Sequence, residues 1–466
     1  MTNSKIKFFF LLTISIATNS CGQKLTHPNH KLEGKWTVEL TNNDIGAVRT
    51  IMEFKTDSNT YIAYTRKNAD RGILGWWTST LGRVFTNDFK EGRLLHIVNG
   101  RIREANKDSI LLSGIFSSSL GNYYFNGTMK GNILDAVLTK KNKEVYGHIH
   151  AIKGDVPTPL ENYSLIFEKA DSITRQNIYN AALIKTDDWK KFEEKMRIVS
   201  DKSQDDLEMV FAFFYYSQKL PFTHFAFMKM PPEDSSNNQN ETNHFVSLQE
   251  KTAQTAYIKI ASFSGSANEM DSIFEIVNRK GYQNLIVDLR DNPGGTVEAG
   301  MAFAKNIADK EFYGGIFLTQ KWFNTHSNPP ALNEFTKFQN FTAANFDLII
   351  SGIHNQEALC LKVIPNEKIY HGKVFILTNN NTASTCEPIV YGLKQNKLAT
   401  IVGETTAGVM LNGEFFDVTK GFKVIVPTAD YYTSDGYRID KKGVTPNVQT
   451  KQETALDYVL TNLIVK

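Results

Sequence analysis

Val374-Phe-Ile-Leu-Thr-Asn-Asn-Asn-Thr-Ala-Ser-Thr-Cys-Glu387 runs from an apolar strand through a turn of three asparagines into a helix. The strand is Val374 to Leu377, the turn is Asn379 to Asn381, and Ile389, Val390 and Leu393 mark one face of the helix. A hydroxyl at a strand-to-helix turn is held out of the core. It lies beside unpaired backbone N–H groups and the positive end of a helix dipole. The same N–H groups can hold an oxyanion, so Ser384 is a candidate nucleophile. A second reading is purely local: Ser384 and Glu387 have capping-box spacing, and Ser384 would then close the helix N-terminus.

The segments on either side decide between these readings. Upstream, Asn284-Leu-Ile-Val-Asp-Leu-Arg-Asp-Asn-Pro-Gly-Gly295 is an apolar strand entering a Pro-Gly-Gly turn, with a helix carrying Val297, Met301, Ala304 and Ile307 behind it. Two glycines permit a tight turn with N–H groups facing outward. Downstream, Ile401-Val-Gly-Glu-Thr-Thr-Ala-Gly408 is a strand entering another glycine turn. The strand Phe422 to Val426 and the string Asp440-Lys-Lys-Gly-Val-Thr-Pro-Asn447 follow. Together, and in this order, these strings resemble the C-terminal-processing (tail-specific) serine peptidase family over roughly residues 160 to 460.

That resemblance implies a crotonase-like core of strand–strand–helix units and hydrolysis of peptide bonds. One branch of the family pairs its serine with a lysine just after the glycine turn, and here Val409 stands at that place. The other branch resembles the core of tricorn protease and uses a histidine, a serine, an acid and a hydroxyl beside the histidine. Leu220-Pro-Phe-Thr-His-Phe-Ala-Phe227 matches its histidine string. The resemblance then makes His224 the general base for Ser384, with Asp440 orienting His224 directly or through Thr223. The N–H of Thr385 and one from Gly294 or Gly295 would form the oxyanion hole. Asp440 replaces a glutamate, Phe225 a small polar residue, and Pro388 an aliphatic one. These departures motivate an alternative, a catalytically inactive protein on the same fold that binds a peptide or an apolar ligand.

A chain of 466 residues with 41% apolar and 12% aromatic content holds two or three domains with substantial cores. Its net charge of +3, with basic residues scattered among acids, gives no nucleic-acid footprint. No H-E-x-x-H or C-x-x-C spacing occurs, so neither metal nor cofactor is expected. At the N-terminus Lys5 and Lys7 precede a short apolar stretch, Phe8 to Ala17, and then Asn19-Ser20-Cys21-Gly22. Residues 1–21 resemble a bacterial lipoprotein signal, which makes Cys21 the lipidated residue and the cell envelope the destination; the alternative is plain secretion with Cys21 unmodified, since Thr18 and Asn19 depart from the usual lipobox. Membrane attachment would run through that anchor alone. Cys360 and Cys386 read as packed thiols, with a bridge between them open.

The expected architecture is multidomain α+β. Residues 32–153 read as all-β, from alternation in Trp36-Thr-Val-Glu-Leu40 and Ile51-Met-Glu-Phe54 and from turn signals such as Asn99-Gly100 and Asn126-Gly127. A small barrel or sandwich follows, and Gly34-Lys-Trp36 resembles the opening of lipocalin-like barrels. Such a barrel could itself carry a ligand, with the rest as scaffold. Residues 160–225 read as a helical segment and 250–460 as the peptidase core. Only 32 residues separate His224 from the strand at Tyr257, too few for a PDZ module. Residues 310–370 form an aromatic-rich insertion, expected to be a helical lid or a wall of the substrate cleft.

Overall fold

The computed structural model describes residues 31–464 apart from 43–45, 68–92, 107, 119–120, 231–244 and 343–345. Residues 1–21, with Cys21, and Trp76 and Trp77 lie outside the described residues.

Eight antiparallel strands form the N-terminal unit: β1 (Gly34–Asn42), β2 (Gly46–Asp57), β3 (Thr60–Thr65), β4 (His96–Asn106), β5 (Ser109–Ser118), β6 (Gly121–Lys130), β7 (Ile133–Thr139) and β8 (Val145–Lys153). Because β1 pairs with both β2 and β8, the sheet closes into a barrel and not a sandwich. Alternate residues point inward, as period-two patterning requires. Among them Trp36, Phe54, Phe116 and Phe125 are buried to within 1% of complete. The Trp36 indole donates to Leu32 O at 2.8 Å and packs on Phe54, which stacks on Tyr61. The described interior is thus filled by side chains. A groove of about 1070 Å³ runs over strands β4 to β8 and is lined by polar groups such as Arg101, Arg103 and His150.

Three helices follow: α1 (Tyr163–Asn177), α2 (Asp187–Lys202) and α3 (Asp206–Ser217). Asp205 caps α3 through the Glu208 N–H. The same turn is bolted to the barrel, since Asp206, fully buried, accepts from Arg49 Nε (2.9 Å), Lys229 Nζ (2.6 Å) and Tyr163 Oη (2.8 Å). Lys229 ends β9 (Ala226–Lys229), the short strand that starts two residues after His224. Gly46 of β2 bridges to Lys229 at φ 75°, and a Cβ there would sit 2.1 Å from Lys229 O, so only glycine fits.

The core sheet contains β10 (Val246–Thr252), β11 (Thr255–Ile260), β12 (Asn284–Asp288), β16 (Lys373–Thr378), β17 (Thr400–Gly403) and β20 (Val448–Gln449), in that order. All neighbours but β10 and β11 are parallel. Parallel strands are covered on both faces, which is why β12 is buried at every residue and reads as a continuous apolar run. On one face Leu285, Val287, Val374 and Ile376 meet α4 (Ala267–Lys280), α5 (Val297–Lys305) and α8 (Cys386–Gln395). On the other, Ile286, Phe375 and Leu377 meet Ala455 and Val459 near the C-terminus.

The insertion departs from the expected helical lid. It supplies β13 (Phe312–Thr319), β14 (Gln339–Phe341) and β15 (Ala358–Val363), with α6 (Gln320–Phe323) and α7 (Phe346–Asn355) between them. Strand β13 pairs with β15 on one side and with β19 (Phe422–Thr433) on the other. Strand β19 also pairs with β9 and with β18 (Leu411–Thr419). One sheet therefore runs from the barrel through β9 and β19 into the insertion. Aromatic and β-branched residues over Phe312–Thr319 fit a half-buried pleat, and tertiary pairing outweighs any helical pattern.

Candidate active site

In a parallel sheet, ligands bind beyond the carboxyl ends of the strands. Here β12, β16 and β17 deliver the Pro-Gly-Gly turn, the Ser384 turn and the Gly408 turn to one end. These turns are tied together. Asp291 Oδ1 accepts from Asn379 Nδ2 (2.8 Å) and Asn381 Nδ2 (2.9 Å), and Ala383 N donates to Asn292 O at 3.0 Å. Thr382 Oγ1 reaches Leu289 O at 2.8 Å. Asn379 and Asn381 thus latch one turn to the other.

Ser384 has φ 54°, in the left-handed region that a non-glycine residue occupies only when its surroundings force it. Its N–H donates to Val409 O (3.0 Å) and to Glu387 Oε2 (3.2 Å). Helix α8 begins at Cys386, with Thr385 as its first flanking residue and no side-chain cap there. Half of the expected capping box therefore exists, the half made by Glu387. Among the described residues the Ser384 hydroxyl forms no hydrogen bond to the helix.

Glu387 was legible only as a capping partner, yet it does far more. It is fully buried. Oε1 accepts from Thr406 Oγ1 (2.6 Å) and Gly408 N (2.7 Å), and Oε2 from Val409 N (2.8 Å) as well as Ser384 N. Burial raises its pKa while these donors oppose the rise. One carboxylate thus fixes the serine turn to the glycine turn. Nothing in the sequence flags partners twenty residues away.

Gly294 (φ 101°) lies against the serine: a Cβ there would sit 2.7 Å from Ser384 Cβ and 3.0 Å from Thr385 N. Its N–H is already committed to Asn292 Oδ1 at 2.8 Å. Gly295 (φ 145°) accepts from Thr385 Oγ1 at 2.7 Å through its carbonyl. Thr385, Gly294 and Gly295 are therefore neighbours around Ser384, with the Gly294 donor spoken for.

His224 also has positive φ, 54°, and is half-buried, with its ring beside Gly413 of β18. Thr223 Oγ1 lies 3.1 Å from His224 Nδ1 and donates to Asp440 Oδ1 at 2.5 Å. A hydroxyl has one proton. If it goes to the carboxylate, Nδ1 must donate to the hydroxyl oxygen, and Nε2 is left with a free lone pair. Burial lowers the His224 pKa to about 4, so the ring is neutral at neutral pH. Among the described residues no hydrogen bond joins Ser384 Oγ to His224. Asp440 is fully buried, receives Met410 N at 3.3 Å, and pairs with Arg438 Nη2 at 3.2 Å. Burial raises its pKa, and Thr223 and Arg438 pull it back. Arg438 was not singled out from the sequence.

A small apolar cavity of about 50 Å³ lies beside this turn. Its walls include Val297, Met301, Phe312, Phe317, Pro388 and Met410. Cys360 and Cys386 are buried free thiols. Among the described residues no cluster of His, Cys, Asp and Glu could hold a metal ion, and no helix is long and apolar enough to cross a membrane.

Residues 254–450 match the sequence model of peptidase family S41. The core of this chain is therefore similar to that peptidase family over these residues. A carboxyl-terminal-processing protease of Synechocystis is 27% identical over 197 residues, 42% of this chain and 38% of its own. The carboxy-terminal processing protease CtpA of Bacillus subtilis is 27% identical over 198 residues, 42% of this chain and 34% of its own. The match thus spans only about a third of these relatives' length. Among solved structures, the photosystem II D1 C-terminal processing protease aligns with a TM-score of 0.38 at 18% identity, over 63% of this chain and 94% of that one. Tricorn protease aligns with 0.42 at 10% identity, over 91% and 52%. At these scores the structural likeness adds nothing to what the sequence match carries.

Proposed function

We propose that this chain is an exported, lipid-anchored serine endopeptidase working through Ser384, His224, Thr223 and Asp440. The observation that carries the reading is the Asp440–Thr223–His224 chain of hydrogen bonds, which leaves Nε2 of a neutral imidazole unprotonated. Ser384 Oγ attacks the scissile carbonyl carbon while His224 Nε2 takes its proton. The oxyanion is met by the N–H groups of Thr385 and Gly295, since that of Gly294 is engaged with Asn292. The imidazolium then protonates the leaving amine, and water cleaves the acyl-enzyme by the same route. Burial opposes that imidazolium, and the negative charge of Asp440, one hydroxyl away, offsets the cost. The lipid anchor and export rest on the Cys21 motif alone.

The test is labelling of residues 22–466 with a fluorophosphonate and mapping of the adduct. An adduct on Ser384 supports the proposal. Its absence from folded protein favours the ligand-binding alternative, to which the missing Ser384–His224 hydrogen bond also points.

Two expectations follow from the geometry. An exposed imidazole titrates near 6.5. Because burial holds His224 near 4, the labelling rate should not fall as pH drops through about 6.5, and the acid limb should appear near 4. The same depressed pKa means the unfolded chain binds more protons between these values, so stability present above about 6.5 is lost as pH falls towards 4. A limb centred at 6.5 would overturn the depressed pKa of His224, and not its assignment as the base. Second, the apolar cavity lined by residues of α5, β13 and α8 suits a small aliphatic side chain next to the scissile bond. In a peptide library, Ala, Val or Leu there should exceed Asp or Lys by roughly a hundredfold or more in kcat/KM, the charged chain having to be desolvated. Equal cleavage would remove the cavity from the substrate site.

A further inference from the structure

We infer that Arg438 is a positioning residue, which holds Asp440 ionised and turned so that Oδ1 faces Thr223, and thereby sets the order of protons along Asp440–Thr223–His224. The inference rests on the peptidase reading of that site.

The carboxylate oxygens of Asp440 have separate duties. Oδ1 meets Thr223 Oγ1 and the Met410 N–H, while Oδ2 meets Arg438 Nη2 at 3.2 Å. Arg438 is itself held in place, because Nε donates to Asp430 Oδ1 (3.0 Å) and Oδ2 (2.9 Å), and Nη2 reaches Tyr179 Oη at 3.3 Å. Both acids are almost wholly buried, Asp430 to 3% exposure and Asp440 to none. A buried carboxyl without a cation takes up a proton. An ionised Asp440 is an acceptor only, so Thr223 must give it the hydroxyl proton and Nδ1 must give its own to Thr223. A protonated Asp440 no longer enforces that order, and it no longer stabilises the imidazolium. The remaining groups around Asp440 do not substitute for Arg438. Asp430 has the wrong sign, Tyr179 and Tyr432 are held neutral by burial, and His224 is neutral. The Lys441 ammonium turns away to Gln218 O at 3.4 Å.

Truncating Arg438 alone strands Asp430 as well, and that variant can fail to fold. The informative protein is therefore Arg438→Gln combined with Asp430→Asn, in which the second acid no longer needs a cation. Asp430→Asn alone and Arg438→Lys serve as controls. Two measurements are made on residues 22–466: the rate of fluorophosphonate labelling against pH, and the titration of the Asp440 carboxyl by 13C NMR, assigned with Asp440→Asn. The double variant should titrate Asp440 at least one pH unit higher than wild type. Its labelling should be tenfold or more slower on the acid limb and recover at higher pH. Asp430→Asn should keep the wild-type profile, and Arg438→Lys should restore part of the shift. An unmoved Asp440 titration overturns the inference, as does labelling lost equally at every pH. If the wild-type protein takes no label, the peptidase reading fails, and the Asp440 titration still judges Arg438 by itself.

Discussion

Replacing Ser384 by alanine should abolish fluorophosphonate labelling and lower any peptide hydrolysis by a factor on the order of 10⁴ or more, as loss of an activated nucleophile does. The fold should hardly notice. The hydroxyl takes no part in closing α8, and the backbone bonds of residue 384 to Val409 O and Glu387 Oε2 do not depend on the side chain. The change in stability should stay within about 0.5 kcal/mol, the range of substitutions that break no buried contact. The combination is what separates the two sequence readings. A helix-capping serine loses about 1 kcal/mol on truncation and has no chemistry to lose. Thermal melting and labelling measured on the same preparation check both halves. A variant that melts lower but is otherwise indistinguishable from a wild-type protein that never reacted would return Ser384 to the role of a cap.

Glu387 should show the opposite balance. Glu387→Ala removes an acceptor from four donors, three of them on the Thr406–Val409 turn, and leaves buried N–H groups without partners. The expected loss is about 3–5 kcal/mol, the scale of breaking a buried charged network from one side. For a chain of 466 residues unfolding as one unit, that corresponds to a fall in Tm of roughly 3–5 °C. Glu387→Gln is a sharper probe. Its amide oxygen can replace one carboxylate oxygen, but its amide nitrogen is a donor and cannot accept from Val409 and Ser384. Where the glutamine protein folds, its labelling should still fall by a hundredfold or more, because the left-handed Ser384 is held by this anchor. A Glu387→Ala protein melting within a degree of wild type would show that the network is dispensable.

These two residues also show what a sequence can and cannot carry. The serine turn, the two glycine turns and their order were visible because each is a local event: an apolar strand, a break, an amphipathic helix. The all-β character of residues 32–153 was visible for the same reason, since alternation in β1 and β2 is written residue by residue, whereas closure into a barrel rests on the pairing of β1 with β8. The family model covers the core that these strings predicted. Thr223 lies between His224 and Asp440, in contact with both. What stayed hidden is non-local. The insertion's aromatic content suggested a helical lid or a cleft wall, and pairing of Phe317 with Leu359 and Tyr431 makes part of it sheet. The Gly294 donor looked available because Asn292, two residues earlier, gives no sign that its side chain folds back. Arg438 looked like any surface arginine, until strand β19 brings Asp430 across from it.

The contact between Thr223 and Asp440 joins residues 217 apart in the chain. Translation proceeds from the N-terminus, and a domain assembles as its segments emerge. The barrel, the helices and the histidine strand therefore exist as polypeptide long before the acid does, and the serine also precedes it. On the proposed chemistry, the acid that readies the base is among the last parts to be made. An incomplete chain, whether still on the ribosome or cut short, holds a nucleophile and a base but no charge to support the proton transfer. On that chemistry, the order of synthesis withholds the supporting charge until residue 440 has been made.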